Sequence, residues 1–269
     1  MPVGILQCSL DPDQPGTSFQ LASQAGADGM ELACASDKQA DAMLSEEAVA
    51  QVAQWKQQYG LQVPGIALAV LSQTESLFGK PKVAEAADRL IRRALATAKA
   101  IGAETVILPF LGKATIEFDP ELDRVIDALP ELAEEAEQAD LTLGIECTLN
   151  VNQQLHLLEH LSMYASVKAC YDTGCALVRR LDPATFLRDL GPGNICQIHF
   201  RDVRLGEDGR PPEWNVALGE GDVDFSAVAS AIAAMSYEGW IVLETPATDD
   251  PLAAAKVNMQ FARHVLAQR

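Results

Sequence analysis

Short apolar runs alternate with amphipathic, alanine-rich segments along the whole chain, and this rhythm constrains the fold more than any other feature. Eight runs have the near-continuous apolar character of strands covered on both faces: Val3–Leu10, Gly29–Cys34, Val63–Leu71, Thr105–Leu111, Leu141–Leu149, Val167–Asp172, Ile195–Val203 and Gly239–Thr245. Helical periodicity fills the gaps, over Phe19–Ala25, Ser45–Gln58, Val83–Ile101, Asp119–Gln138, Gln153–Leu161, Pro183–Leu190, Phe225–Met235 and Pro251–Ala267. Ser45 reads as a helix cap, Gly102 as a stop, and Pro130 as a break or a new start.

A strict strand–helix order implies parallel strands joined by right-handed crossovers. Eight such units in 269 residues favour a closed α/β barrel, the (β/α)8 TIM barrel, as a single domain over residues 1–269. An open doubly wound sheet usually has fewer strands and a glycine-rich phosphate turn after the first. Here the first strand is followed by DPDQPGTS.

Composition excludes several classes of partner. The net charge of −18 repels nucleic acid and anionic membrane surfaces. No apolar run reaches the length of a membrane span, and the N-terminus lacks the pattern of a secretory signal. The six cysteines form no C-x-x-C pair and read as small buried hydrophobes. The expectation is a cytoplasmic enzyme with a small-molecule substrate, and a homo-oligomer is left open.

Polar residues interrupt the last four apolar strands at equivalent places. LTLGIECTL carries Glu146, VKACYDTG ends at Asp172, ICQIHFRDV carries His199 and GWIVLETP carries Glu244. In a barrel these strand ends meet on the face that holds active sites. Three carboxylates and an imidazole brought together there need a cation, because buried like charges repel and buried unpaired carboxylates are expensive. Oxygen donors with one imidazole suit one divalent metal ion, Mn2+, Zn2+, Co2+ or Mg2+. The polar stretch FRDVRLGEDGRPPEWNVALGEGDVD after His199 reads as a functional loop in which Gly219 and Gly221 permit a tight path.

The order Glu, Asp, His, Glu on strands five to eight resembles the xylose isomerase-like TIM-barrel superfamily of sugar phosphate isomerases and epimerases. GADGMELAC, IHFRDVR, LGEGDVDF and YEGWIVLE resemble motifs of that group, and the likeness covers essentially the whole chain. It implies a metal on Glu146, Asp172, His199 and Glu244, with Glu146 and Glu244 doubling as the catalytic acid/base pair. There are departures. Cys175 stands where relatives often carry a histidine after the metal-binding aspartate, and Arg201 stands in place of a lysine. Arg204 and Arg210 are both candidates for the substrate arginine of the group's epimerases. Glu31, Arg201, Asp202, Arg204 and Trp214 are the expected substrate-binding residues, Glu31 with the alternative of a structural salt bridge, Trp214 with that of loop packing, and Arg201 and Asp202 with that of orienting His199.

The implied activity is a metal-dependent isomerase or epimerase of a small sugar or polyol, or a related hydroxycarbonyl compound, working by proton transfer through a metal-stabilised enediolate. The alternatives are a lyase of the inosose-dehydratase type and a non-catalytic sugar-binding barrel. The apurinic endonucleases of the superfamily use a three-zinc cluster rich in histidine. This chain has four histidines, and His156, His160 and His264 fall on predicted helices.

Overall fold

The apolar runs pair edge to edge until the sheet closes on itself. In the computed structural model, which describes residues 1–206 and 212–268, the eight barrel strands are β1 (Val3–Leu6), β2 (Gly29–Ala33), β3 (Gly65–Ala67), β4 (Thr105–Phe110), β5 (Thr142–Cys147), β6 (Val167–Asp172), β7 (Ile195–Phe200) and β10 (Trp240–Leu243). All are parallel, in the order β1-β10-β7-β6-β5-β4-β3-β2, and β2 pairs with β1 to complete the ring. The expected TIM barrel is the observed one.

Helices cover the outside: α1 (Pro15–Ala25), α2 (Asp37–Met43), α3 (Glu46–Tyr59), α4 (Pro81–Ile101), α5 (Asp119–Ala128), α6 (Pro130–Gln138), α7 (Val151–His160), α8 (Thr173–Val178), α9 (Pro183–Leu190), α10 (Phe225–Ala234) and α11 (Pro251–Ala267). Local chemistry sets their ends. The Ser45 hydroxyl accepts from Ala48 N, Gly102 closes α4 in the left-handed region, and Pro130 starts α6 where its missing N–H is no loss. Among the described residues no helix is long and apolar enough to cross a membrane.

Three apolar runs leave the barrel well before they end and take up another structure. The first and third runs turn into 3-10 helices over Gln7–Ser9 and Ala69–Gln73, because buried apolar residues do not distinguish a strand from a buried turn. The seventh breaks at Arg201, after which β8 (Asp202–Arg204) pairs antiparallel with β9 (Glu213–Val216). Part of the expected loop is therefore a two-stranded sheet over the barrel mouth. The helices α2 and α8 also go beyond the periodicity reading, since each is short and owes its start to a cap, Ser36 and Asp172 respectively.

Strand alternation divides each strand between two cores. Leu6, Ala33, Ala67, Ile107, Cys170, Trp240 and Val242 cluster in the lumen. Their chain neighbours, such as Leu32, Leu108 and Ile241, belong to the larger core shared with the helices. The ligand candidates obey the same parity. Glu146 follows Gly144, Asp172 follows Cys170, His199 follows Gln197 and Glu244 follows Val242, each by two residues. Register then levels them: Asp172 lies opposite His199 after a register shift between Ala169 and Cys170, and Val242 also lies opposite His199.

Leu108 is fully buried against the helices. Leu108→Ala is expected to destabilise the fold by about 2–5 kcal/mol while leaving the affinity of the barrel mouth for a divalent ion unchanged. Urea unfolding and metal titration check the two halves, and an affinity that falls with stability would contradict the separation of the two cores.

Candidate metal centre

Each candidate ligand is positioned by a different stave. Glu146 is the penultimate residue of β5, Asp172 ends β6, His199 is the penultimate residue of β7, and Glu244 follows the last residue of β10. The Glu244 N–H donates to the Phe200 carbonyl at 3.0 Å, which carries the ladder one residue past the strand. One ligand atom from each of the four residues lies within 4.8 Å of all the others. Two atoms bound to a common ion at about 2.0–2.4 Å can be no farther apart than this. His199 Nδ1 stands 3.5 Å from Glu146 Oε1 and 3.4 Å from Glu244 Oε2. Those separations suit two ligands of one ion better than a hydrogen bond.

The donor set fits a divalent cation. Glu146 Oε1, Asp172 Oδ2 and His199 Nδ1 are buried and have no hydrogen-bond partner. Buried polar atoms normally have one, and three candidate ligand atoms without one, with only the Arg201 guanidinium nearby as a counter-charge among the described residues, suit a place for an ion. Asp172 serves twice: Oδ1 accepts from Cys175 N at 2.7 Å, capping α8, while Oδ2 is left for the cluster.

Burial opposes charge on His199, but Cys170, Glu31 and Glu146 more than offset it and hold the imidazole well above the ordinary histidine range. Burial likewise raises Asp172, opposed by Arg201. Burial also works to raise Glu146, yet His199 and Arg201 prevail and hold it below the usual carboxylate range. The Cys170 thiol beside His199 is itself pushed well above the ordinary range by burial.

The structure redistributes the expected substrate-binding residues. Arg201 reaches into the cluster, with Nε 3.1 Å from Asp172 Oδ2, Nη2 3.7 Å from Glu146 Oε1, and a direct ion pair with Glu244. Trp214 lies against its outer face, 5.6 Å from the guanidinium carbon to the ring centroid, and is 38% exposed. These two stand at the mouth, within reach of a ligand. Asp202 does not, and its expected role is corrected. It is fully buried and accepts backbone N–H groups from Val203, Gly219, Gly221 and Val223. Those bonds stitch the loop to β8. Gly219 supplies a left-handed turn there, and a Cβ on Gly221 would stand 2.2 Å from the Asp202 carboxylate.

Glu31 follows its structural alternative. It is fully buried behind His199, with Oε2 2.9 Å from Nε2, and offers no surface to a substrate. Arg204 is half exposed and bound to Glu213 and the Glu220 carbonyl, so it braces the β8–β9 sheet. Arg210 lies outside the described residues. Sequence reasoning missed Gln197, Thr105 and Thr173. Gln197 was findable, since its lumen parity matches that of His199. Thr173 accepts from Arg201 N at 3.0 Å and donates to Arg201 O at 2.7 Å, a contact between strand ends with no sequence signal.

A closed eight-stranded parallel barrel with three carboxylates and an imidazole converging at its C-terminal mouth defines a class of α/β-barrel proteins with a built metal-competent site. A family model described as "Xylose isomerase-like TIM barrel" matches residues 19–265, and the chain belongs to that family. Among curated relatives, an inosose dehydratase of Geobacillus thermodenitrificans (strain NG80-2) is 26% identical over 178 residues, covering 58% of this chain and 58% of that protein. One from Lacticaseibacillus casei is 24% identical over 156 residues, covering 51% and 50%. The chain thus spans about half the length of the curated relatives it matches. Among solved structures, a xylose isomerase domain protein from Planctomyces limnophilus superposes with a TM-score of 0.80 at 17% identity, over 99% of this chain and 96% of that one. A D-tagatose 3-epimerase-like protein gives 0.78 at 18%, over 100% and 99%. At these identities the superpositions show the fold.

Cation uptake must displace the His199 proton that the surrounding carboxylates favour. Affinity for Mn2+ or Zn2+ is therefore expected to fall as pH drops and to rise until the raised histidine value is passed. Calorimetric titration in buffers of different ionisation enthalpy should show proton release. Binding that is independent of pH and buffer would contradict this account of His199.

Proposed function

We propose that the chain is a divalent-metal-dependent isomerase or epimerase of a small sugar or a related hydroxycarbonyl compound. The observation that carries the reading is the convergence of four ligand atoms from four staves, two of them on glutamates three staves apart in the barrel order. A cation bound there supplies Lewis acidity, polarising a substrate carbonyl and stabilising negative charge on the neighbouring oxygens.

The protein groups then handle protons and orientation. Glu146, held ionised by His199 and Arg201, is suited to abstract a carbon-bound proton. Glu244, whose side chain is 18% exposed, is the more open of the two and is suited to return one. Return to the adjacent carbon gives isomerisation, and return to the opposite face of the same carbon gives epimerisation. Arg201 orients Glu244 and Asp172 and presents a donor to substrate oxygens, while Trp214 offers an apolar wall to a sugar ring. Six free cysteines support a reducing, cytoplasmic setting.

A second reading is dehydration. It is favoured by the inosose dehydratases among the curated relatives, and it would begin with the same proton abstraction before a β-hydroxyl leaves. Product mass separates the two, because only dehydration loses water. A sugar-binding barrel without turnover would show Mn2+-dependent polyol binding and no product.

Turnover of ketoses and inososes in deuterium oxide, with added Mn2+, Co2+ or Mg2+, is expected to place solvent deuterium on carbon. Glu146→Gln and Glu244→Gln should each lower kcat by about 100- to 10,000-fold, the range for losing a general acid or base. Full activity in Glu146→Gln with no deuterium incorporation would rule out this proton-transfer scheme.

A further inference from the structure

Three buried polar side chains outside the ligand set line the lumen one layer beneath the mouth. Thr105 Oγ1 donates to Gln197 Oε1 at 3.2 Å, and Gln197 Nε2 donates to Glu31 Oε1 at 2.6 Å. Glu31 Oε2 lies 2.9 Å from His199 Nε2. Glu31 and Gln197 are fully buried and Thr105 is nearly so. Polar groups of this kind in an apolar barrel are tolerated only when each finds a partner. The backbone is shaped to admit them: a Cβ on Gly65 would stand 2.2 Å from Thr105 Oγ1 and 2.8 Å from Glu31 Oε1.

We infer that Glu31 is a positioning residue for the cation site: its carboxylate stands against Nε2 of His199 and so turns Nδ1 toward Glu146 and Glu244. Gln197 and Thr105 hold the carboxylate in place for that contact. The ring would then enter the site with its ligand nitrogen already decided, and a carboxylate behind it would raise its basicity. This inference rests on the reading of the mouth cluster as a metal centre.

The geometry contains a competitor. Gln197 Nε2 also lies 2.7 Å from His199 Nε2. If that ring nitrogen accepted the amide proton, the imidazole would carry its own proton on Nδ1 and could not ligate through it. Glu31 Oε2, which has no hydrogen-bond partner and lies 2.9 Å from the ring nitrogen, would then face a lone pair. That arrangement is the costlier one, because a buried carboxylate oxygen would meet a ring lone pair at 2.9 Å. Ligation through Nδ1 therefore requires the ring proton on Nε2, against Glu31, and the spectrum of the loaded protein reads that placement directly.

The test uses the full chain labelled with 15N-histidine and loaded with Zn2+ as the probe. Long-range 1H–15N spectra, assigned with His156→Gln, His160→Gln and His264→Gln, are expected to show His199 protonated at Nε2 and zinc-bound at Nδ1. Glu31→Gln should weaken Zn2+ binding by about 10- to 100-fold with little change in far-UV circular dichroism. Gly65→Ala, which crowds Glu31 without removing any donor, should move affinity in the same direction. Zinc bound through Nε2, or a Glu31→Gln affinity within about threefold of the parent, would overturn the inference and leave the metal centre standing. If Glu31→Gln does not fold, the spectrum of the parent protein decides alone. Failure of the parent protein to take up Zn2+ would remove the metal reading itself.

Discussion

Three carboxylates and an imidazole held together in an apolar barrel are an unstable arrangement on their own, and the rest of the site answers that constraint. Burial pushes each acid toward its neutral form, and the positive groups nearby push back. The protein supplies two such groups, the His199 ring and the Arg201 guanidinium, against Glu31, Glu146, Asp172 and Glu244. The excess of negative charge and the three orphaned atoms are what a divalent cation would satisfy.

The scaffold around this cluster works by separation. Outward-facing residues of the strands pack against helices and carry stability, while inward-facing residues fill the lumen below the mouth. The chemistry sits where strand pairing ends, so polar groups there disturb neither core. Asp202 shows how the covering loop is kept in register. One buried carboxylate accepts four backbone N–H groups, and a residue type that reads as functional in the sequence turns out to hold the loop.

Much of the site was legible because its residues break a strong pattern. Glu146, Asp172, His199 and Glu244 are polar interruptions of apolar strands, and each interruption falls at a strand end. Glu31 interrupts an apolar strand in the same way, yet it lies behind His199 and not on the substrate side. Strand parity places a residue in the lumen but does not say which neighbour it meets there. The ion pairs of Arg201 were equally hidden, since they depend on a backbone break after Phe200 that turns β7 into the separate strand β8.

The sequence by itself determined the barrel and which polar residues interrupt its strand ends, because alternation of apolar runs and the two-residue parity of a strand are local properties that need no knowledge of distant neighbours. Tertiary structure alone decided which nitrogen of His199 faces the carboxylates, that Asp202 serves the loop, and that Glu31, Gln197 and Thr105 form one chain of contacts. Those outcomes depend on side chains up to 166 positions apart meeting inside a closed ring. Ring closure sets such distances, and no local pattern encodes them.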